Sequence, residues 1–252
     1  YVPGDDVKDI DWKSSARAGE LLIKSYRAER RHTLAFVVPT GGSLASAATL
    51  THSKIDVVLA TIGVLAWVAC HQGDYVTVIA PSKDGPSVAR PSYRDTQIEH
   101  MLAGLDAGCR LEAPDPDLVE LLDLTASGLR RRCIVVVVLD DWDPRPADID
   151  ALASLCARHE VLAIEVSDLD LTDPALAAVP TRDQASGQPV PGFVARDRQV
   201  REQAVAARQE RARRRGHTLD RLGIIHESVA DVDDSIAAIV RLLERMRHAS
   251  RH

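Results

Sequence analysis

The sequence has few aromatic residues, no long hydrophobic run and no excess of positive charge. Aromatic side chains make up 4% of its 252 residues, and the formal net charge is −6. A generally basic surface is the electrostatic signature of nucleic-acid-binding proteins, so the negative net charge argues against that class of protein. The longest apolar stretch, residues 57–70, is too short to cross a bilayer and therefore predicts a buried helix.

Cysteine is also scarce, and its spacing excludes two kinds of site. The chain has four cysteines, at positions 70, 109, 133 and 156, with no C-x-x-C pair. That spacing is neither a zinc-binding pattern nor the framework of a disulfide-rich protein. The apolar surroundings of three of them predict buried thiols in a reducing compartment.

Several catalytic and binding signatures are missing as well. The sequence has no G-x-x-x-x-G-K-[ST] phosphate loop, and Gly41-Gly42 does not complete G-x-G-x-x-G, so a nucleotide site is unsupported. Ser43 does not lie in G-x-S-x-G, which argues against a nucleophile elbow. The nine histidines show no H-E-x-x-H or H-x-E pattern and are expected at the surface or in loops.

The pattern that is present alternates apolar runs with helical periodicity. Apolar runs predict strands at 34–38, 75–80, 133–139, 161–166 and 222–225, with a weaker extended stretch at 87–90. Helical spacing predicts helices over 54–71, 96–105, 149–156 and 236–246, and over 118–128 behind an N-cap at Asp115 and a first-turn proline. Residues 168–192 are expected to be irregular. This alternation predicts one doubly wound α/β domain, with a mostly parallel sheet covered by helices on both faces and 133–139 at its centre.

Polar residues follow two of the predicted strands. Pro39-Thr40-Gly41-Gly42-Ser43 follows the first strand, and Asp140-Asp141 follows the valine-rich one. Ligands of open α/β sheets collect beyond the carboxyl ends of the strands, and hydroxyl and carboxylate oxygens suit Mg²⁺. The alternative, which the spacing alone favours, is that the glycines form a tight turn and the aspartates cap the next helix.

The most specific pattern is N-terminal, where residues 1–17 read YVPGDDVKDIDWKSSAR. It combines a Pro-Gly turn, an acidic cluster and an Asp-Trp pair. The aspartates could coordinate Ca²⁺, but they lack the glycine and the distal glutamate of an EF-hand, so turn and capping roles are favoured. Trp12 is expected to be at least partly buried against the main domain, because a large aromatic ring would otherwise lie in water.

This stretch resembles the hallmark of the bacterial "domain of unknown function 58" family, Y-x-P-G-D-D-x-x-x-I-D-W-x-x-S-A-R. The resemblance continues through Gly19-Glu20-Leu21 and the charged segment 27–31, and the strand–helix order extends it to the C-terminus. It implies a Rossmann-like fold similar to von Willebrand factor A domains. It also implies two parts, a hallmark segment (1–32) packed on the main domain and an A-like domain (33–252).

The resemblance further implies a degenerate metal-ion-dependent adhesion site. Such sites use D-x-S-x-S after the first strand, a threonine from a second loop and an aspartate from a third. The D-x-S-x-S positions fall on Pro39, Gly41 and Ser43, while Thr96 and Asp140 match the other two ligands. The expected pocket is Thr40, Ser43, Thr96 and Asp140. Because three of these supply only neutral oxygens, we expect Mg²⁺ binding to be weak and water or an anion to be the more natural occupant.

The function implied by the resemblance is a non-catalytic protein-interaction or scaffold domain. The implied partner is a MoxR-type AAA+ ATPase with its client proteins, in the assembly or maturation of other proteins. The resemblance also implies transmembrane helices outside this chain. The chain itself is then expected to be soluble, at the cytoplasmic face of the cell membrane, and to need no cofactor.

The residues leave two other functions open. A metal-dependent hydrolase or nuclease could use Asp140 and Asp141, although two-metal chemistry requires several converging carboxylates. The segment Arg196–Arg215 holds eight arginines and could bind nucleic acid. It lacks interleaved aromatic residues, however, so a solvated helix face is the favoured interpretation.

Overall fold

The computed structural model of the protein describes residues 31–249. The predictions for Trp12 and for the packing of the hallmark segment fall on residues 1–30 and lie outside the described residues. The fold and the site below are those of residues 31–249.

The described chain alternates strands and helices in the predicted order. The strands are β1 (Thr33–Val37), β2 (Tyr75–Ser82), β3 (Gly85–Val88), β4 (Ile134–Leu139), β5 (Glu160–Val166), β6 (Thr181–Arg182), β7 (Pro189–Val190) and β8 (Ile225–Val229). The helices are α1 (Gly42–Ala45), α2 (Lys54–His71), α3 (Asp95–Gly108), α4 (Leu118–Gly128), α5 (Pro146–Cys156), α6 (Phe193–Arg196), α7 (Arg198–Arg221) and α8 (Ser235–Ala249). Short 3₁₀ helices lie at Pro174–Ala178 and Val232–Asp234.

Six strands form one sheet in the order β3-β2-β1-β4-β5-β8. Neighbouring strands are parallel except at the edge, where β3 returns antiparallel to β2. β4 pairs with both β1 and β5, and Val135–Val138 are fully buried. The predicted central strand and the predicted α/β fold are therefore confirmed.

Helices cover both faces of this sheet with separate apolar layers. Alternate strand residues point to opposite faces, so Phe36 and Val136 belong to one layer and Val37 and Val137 to the other. The first layer is completed by α2, α3 and α8, and the second by α4, α5 and Leu219 near the end of α7. A continuous valine run suits β4 because both of its faces are buried.

Helix α2 is, within residues 31–249, the one helix long and apolar enough by length and composition to cross a membrane. Half of it is buried inside the domain. Its residues Ile55, Val58 and Ile62 belong to the first apolar layer. The prediction of a buried helix over 54–71 is confirmed.

Two predicted boundaries are wrong. The last strand is Ile225–Val229 and not 222–225, because α7 continues to Arg221 and Gly223 then turns the chain. The N-cap of α4 is Asp117, whose carboxylate accepts a hydrogen bond from the Val119 amide. The Asp115 carboxylate instead accepts a hydrogen bond from the Ser43 amide. The segment 168–192 holds only a 3₁₀ helix and the two-residue strands β6 and β7, in keeping with its predicted irregularity.

Replacing Gly223 by alanine should destabilise the fold. Gly223 has a φ of 70°, and this left-handed conformation costs a residue with a Cβ about 1–2 kcal/mol. The matched control is Gly104→Ala, because Gly104 lies in α3 with open space around an added Cβ. Alanine there should stabilise the helix by up to about 1 kcal/mol. Urea unfolding of both variants checks this pair, and effects of the same sign would contradict it.

Candidate functional site

The carboxyl ends of β1, β4 and β5 bring together one lysine, one serine and two aspartates. Ser43 lies in α1, Lys54 opens α2, Asp140 follows β4 and Asp168 lies just beyond β5. The Ser43 hydroxyl donates a hydrogen bond to Asp140 Oδ2. Lys54 Nζ lies 3.2 Å from Ser43 Oγ, 3.4 Å from Asp140 Oδ2 and 2.5 Å from Asp168 Oδ1. We name these four residues the Lys54 cluster.

Lys54 is the buried centre of this cluster. Its side chain is 3% exposed, whereas the side chains of Asp140 and Asp168 are 26% and 41% exposed. An ammonium buried without partners is costly, and a positive charge at a helix N-terminus also opposes the helix dipole. The two carboxylates offset both penalties, so the charge of Lys54 fits this position only because Asp140 and Asp168 face it.

The backbone at the start of α2 fixes the position of Lys54. Ser53 is the N-cap and forms a capping box with Asp56, in which the Ser53 amide donates to Asp56 Oδ2 over 2.8 Å. The hydrogen bond from the Ser53 hydroxyl lowers the pKa of Asp56 below its usual range. The Lys54 amide donates to the Ser46 carbonyl over 2.8 Å. These hydrogen bonds therefore hold the backbone of Lys54 in place beside the loop that follows β1.

The glycine pair allows a second loop, residues 109–117, to approach Ser43 closely. Asp115 Oδ1 accepts a hydrogen bond from the Ser43 amide over 2.7 Å, and the Gly42 amide donates to the Ala113 carbonyl over 3.0 Å. A Cβ at Gly41 would lie 2.6 Å from Asp115 Oδ1. Close approach of this loop is therefore the physical reason for glycine there.

Of the four residues predicted to form one pocket, the structure brings together only Ser43 and Asp140. Thr40 is buried against the end of α3, where a Cβ at Gly108 would lie 3.0 Å from its Oγ1. Thr96 is exposed in the first turn of α3 and is separated from Gly108 by about 18 Å of helix. The assignment of Thr96 is wrong, because β3 carries the chain back to the amino end of β2 before α3 begins, as the Val76–Ser92 bridge shows.

Three residues of the site were not predicted for it: Lys54, Asp168 and Asp115. Asp168 follows a predicted strand, so the strand-end rule that indicated Asp140 also indicates it. Lys54 and Asp56 are the two charged residues in the first turn of the otherwise apolar predicted helix 54–71. Asp115 was predicted as the N-cap of α4, and no pattern in the sequence indicated its contact with Ser43.

Asp141 is ion-paired with α7 and is not among the partners of Lys54. Its carboxylate pairs with Arg215 Nη1 at 2.7 Å and with Arg211 Nη2 at 3.5 Å, both from α7. The two neighbouring aspartates thus pair with different cations, Asp140 with Lys54 and Asp141 with Arg215. This geometry does not supply the set of carboxylates that a two-metal hydrolase or nuclease requires.

The arginines of α7 also form an ion network against the sheet. Arg215 Nε donates to Glu165 Oε2 over 2.9 Å, and His226 Nδ1 lies 3.1 Å from Glu165 Oε1. Arg208 pairs with Asp170 at 2.9 Å. The predicted solvated face is thus only one side of the helix, because the other side pairs with carboxylates of the domain.

The His226–Glu165 pair makes stability depend on pH. The hydrogen bond to Glu165 raises the pKa of His226, although burial opposes this. A raised histidine pKa contributes stability that is complete below the unfolded value of about 6.5 and is lost as pH rises through the folded value. We therefore expect the urea midpoint to fall from pH 6 to pH 8. His226→Gln should flatten this dependence and His100→Gln, at an exposed position, should not; equal profiles would contradict the assignment.

Two clefts are lined by both Ser43 and Asp140 of the Lys54 cluster. One, of about 570 Å³, is lined by the three loops that follow β1, α3 and β4, with Asp115, Asp140, Trp142 and Arg145 among its residues. The other, of about 330 Å³, lies between Lys54 and the segment that carries β6 and β7, including Arg182 and Gln184. Ser43 and Asp140 thus border both clefts.

The family model described as "Protein of unknown function DUF58" matches residues 1–214. The chain belongs to the DUF58 family. The match ends inside α7. The family resemblance was expected to extend to the C-terminus, but the family model does not cover residues 215–252. The family membership predicted from the N-terminal hallmark is therefore confirmed.

Curated relatives of this DUF58 chain come from mycobacteria. Uncharacterized proteins of Mycobacterium tuberculosis H37Rv and Mycobacterium bovis are 30% identical over 196 residues, which are 74% of this chain. The matched region spans 59% of the length of these relatives.

Solved structures resemble the fold at low sequence identity. The pilus adhesin SpaC of Lactobacillus rhamnosus GG superposes with a TM-score of 0.51 and 12% identity, over 88% of this chain and 30% of SpaC. A von Willebrand factor type A protein of Catenulispora acidiphila has a TM-score of 0.40 and 14% identity, over 62% of this chain and 40% of its own. The DUF58 chain has an α/β fold, and a von Willebrand factor type A protein is among the solved structures that resemble it.

The residues of this site do not fit the divalent metal ion of an adhesion site. Pro39 and Gly41 supply no side-chain ligand, and the ammonium of Lys54 lies against Asp140. In the described part of the chain, no group of three or more His, Cys, Asp or Glu side chains is placed to hold a metal ion. The donor set is that of an ion-pair cluster.

Proposed function

We propose that this DUF58 domain is a non-catalytic protein-interaction domain that works with a MoxR-type AAA+ ATPase in the assembly or maturation of other proteins. The observation that carries the non-catalytic part of the proposal is that the side chains of the Lys54 cluster are hydrogen-bonded to one another. Ser43, its one hydroxyl, donates to Asp140. Lys54 is ion-paired with both Asp140 and Asp168, so the polar side chains of the cluster bond to one another.

The partner in this proposal comes from the family resemblance, and so does its cellular place. The domain acts at the cytoplasmic face of the cell membrane, next to transmembrane helices of the complete protein. The loops at the carboxyl ends of the strands form the contact surface, since this is where open α/β sheets collect their ligands. The 570 Å³ cleft beside Asp140 lies in that surface.

Binding of a purified MoxR-type ATPase from the same genome tests the proposal. With the domain immobilised, we expect saturable binding in biolayer interferometry, weakened at least about tenfold by Asp143→Arg at the rim of the cleft. The matched control is Glu244→Arg, an exposed position on α8, which should bind like the natural sequence. Equal loss in both variants would contradict the proposed surface.

A catalytic assay completes the test. The protein should turn over neither phosphodiester nor ester substrates with Mg²⁺ or Mn²⁺ present. Turnover that disappears in Asp140→Asn would make the domain an enzyme and overturn the proposal, as would the absence of ATPase binding.

A further inference from the structure

We infer that the ammonium of Lys54 occupies the cation position of this strand-end site, so that the domain uses a built-in organic cation in place of a divalent metal ion. The inference goes beyond the proposed function, because it concerns the chemistry of the site and can be tested without a binding partner. It rests on the position of one buried nitrogen atom among the oxygens of three loops.

The first step is the set of oxygens that Lys54 contacts. Asp140 Oδ2 and Ser43 Oγ are the two oxygens of the predicted metal pocket that do lie together, and Lys54 Nζ is within 3.4 Å of both. Its third neighbour is Asp168 Oδ1 at 2.5 Å. Ser43 Oγ and Asp140 Oδ2 are hydrogen-bonded to each other and therefore lie on the same side of Nζ, while Asp168 Oδ1 provides its shortest contact.

The second step is competition for the same space. Mg²⁺ binds oxygen at about 2.0–2.1 Å in a near-octahedral shell. A metal ion bound to both Asp140 Oδ2 and Ser43 Oγ would lie beside Lys54 Nζ, where two positive charges would share the same carboxylate. Mutual repulsion opposes this arrangement, and the low exposure of Lys54 reduces the screening by water.

The third step is that Lys54 cannot easily leave. Its backbone is held by the Ser53 cap and by the hydrogen bond from its amide to the Ser46 carbonyl. Its side chain is enclosed, with 3% of its surface exposed. Removing it from the cluster would leave the two carboxylates facing each other, so the cation also joins the loops after β1, β4 and β5.

Metal titrations of Lys54→Met test the inference, with Lys83→Met as the matched control because Lys83 is exposed in the turn between β2 and β3. Lys54→Met should lower the melting temperature by about 4 °C or more, and Lys83→Met by less than about 1 °C. Addition of 10 mM Mn²⁺ should raise the melting temperature of Lys54→Met by about 3 °C, because the freed carboxylates then accept a metal ion. The natural protein should show no shift with Mn²⁺, Mg²⁺ or EDTA.

Asp140→Asn provides an arm that does not require Lys54→Met to fold. In isothermal titration calorimetry with Mg²⁺ and Mn²⁺, the natural protein and Asp140→Asn should both show no binding. Micromolar binding by the natural protein that is lost in Asp140→Asn overturns the inference. A folded Lys54→Met that gains no response to Mn²⁺ also overturns it, because the ammonium would then not lie at a cation position.

Discussion

Replacing Asp148 by alanine is expected to lower the free energy of unfolding by about 3 kcal/mol. The Asp148 side chain is 1% exposed and accepts hydrogen bonds from the Arg145 amide at 3.0 Å, Arg145 Nη2 at 2.7 Å and the Trp142 indole at 3.2 Å. Alanine would leave the Arg145 amide and the Trp142 indole without this acceptor, would leave the Arg145 guanidinium with Asp117 alone, and would remove the capping box of α5. Because Trp142 and Arg145 lie in the loop after Asp140, the surface around the Lys54 cluster should loosen as well.

Urea unfolding followed by circular dichroism measures this effect. The control is Asp150→Ala, two residues farther along the same helix at an exposed position, where the change should stay within about 0.5 kcal/mol. Similar losses in the two variants would show that the hydrogen bonds of Asp148 contribute little.

The effect of Asp148→Ala should also depend on pH. Burial alone would raise the pKa of Asp148, but the hydrogen bonds from Arg145 and Trp142 outweigh it and hold the pKa below its usual range. A depressed carboxyl pKa contributes stability that is present above the unfolded value of about 3.9 and is lost as pH falls through the folded value. The difference between the natural protein and Asp148→Ala should therefore be full at pH 7 and shrink in acid.

The fold was predictable from the sequence because its strands and helices have strong local patterns. The valine run at 133–139 has no polar residue to expose, so it fits only a strand covered on both faces. The helix over 54–71 was predicted from its continuous apolar character, and the structure begins it at Lys54 behind a capping box of Ser53 and Asp56. The last strand was misplaced because the turn at Gly223 follows a long polar helix without a clear apolar boundary.

The candidate site was only half predictable, because its members meet through strand order. Ser43, Lys54, Asp140 and Asp168 come together because β1, β4 and β5 are neighbours in the sheet, and no spacing in the sequence encodes that adjacency. The prediction that Thr96 belongs to this pocket was wrong for a related reason. The β2–β3 hairpin reverses the chain, so the start of α3 lies at the opposite end of the sheet from the site.

Asp115 shows how a long-range contact can decide between two local possibilities. The sequence Asp115-Pro116-Asp117 offers two aspartates ahead of α4, and either could serve as its N-cap by local rules. The choice is made by the Ser43 amide, 72 residues away, which binds Asp115 and leaves the capping position to Asp117. Local preference sets the candidates, and tertiary contact selects among them.

Glu165→Ala is expected to lower the free energy of unfolding by about 2 kcal/mol, because it removes the buried carboxylate that Arg215 and His226 share and leaves them with Asp141 and Asp220 alone. The Glu165 side chain is 10% exposed and holds both Arg215 and His226. Among the described residues of α7 only Leu219 is buried, so this helix depends on polar contacts to stay on the domain. Hydrogen exchange in the second half of α7 should therefore increase together with the loss of global stability.

Glu210→Ala is the matched control for this experiment. Glu210 lies on the same helix and pairs with Arg213 at 2.8 Å, but both side chains are largely exposed. Such pairs contribute little in water, so we expect no measurable change in stability or in exchange rates. If Glu210→Ala loosened α7 as much as Glu165→Ala, the helix would be held by its own surface charges, and the role of Glu165 as its link to the sheet would be wrong. The expected contrast instead makes Glu165 the residue through which α7 positions Arg215 against Asp141, immediately beside the Lys54 cluster.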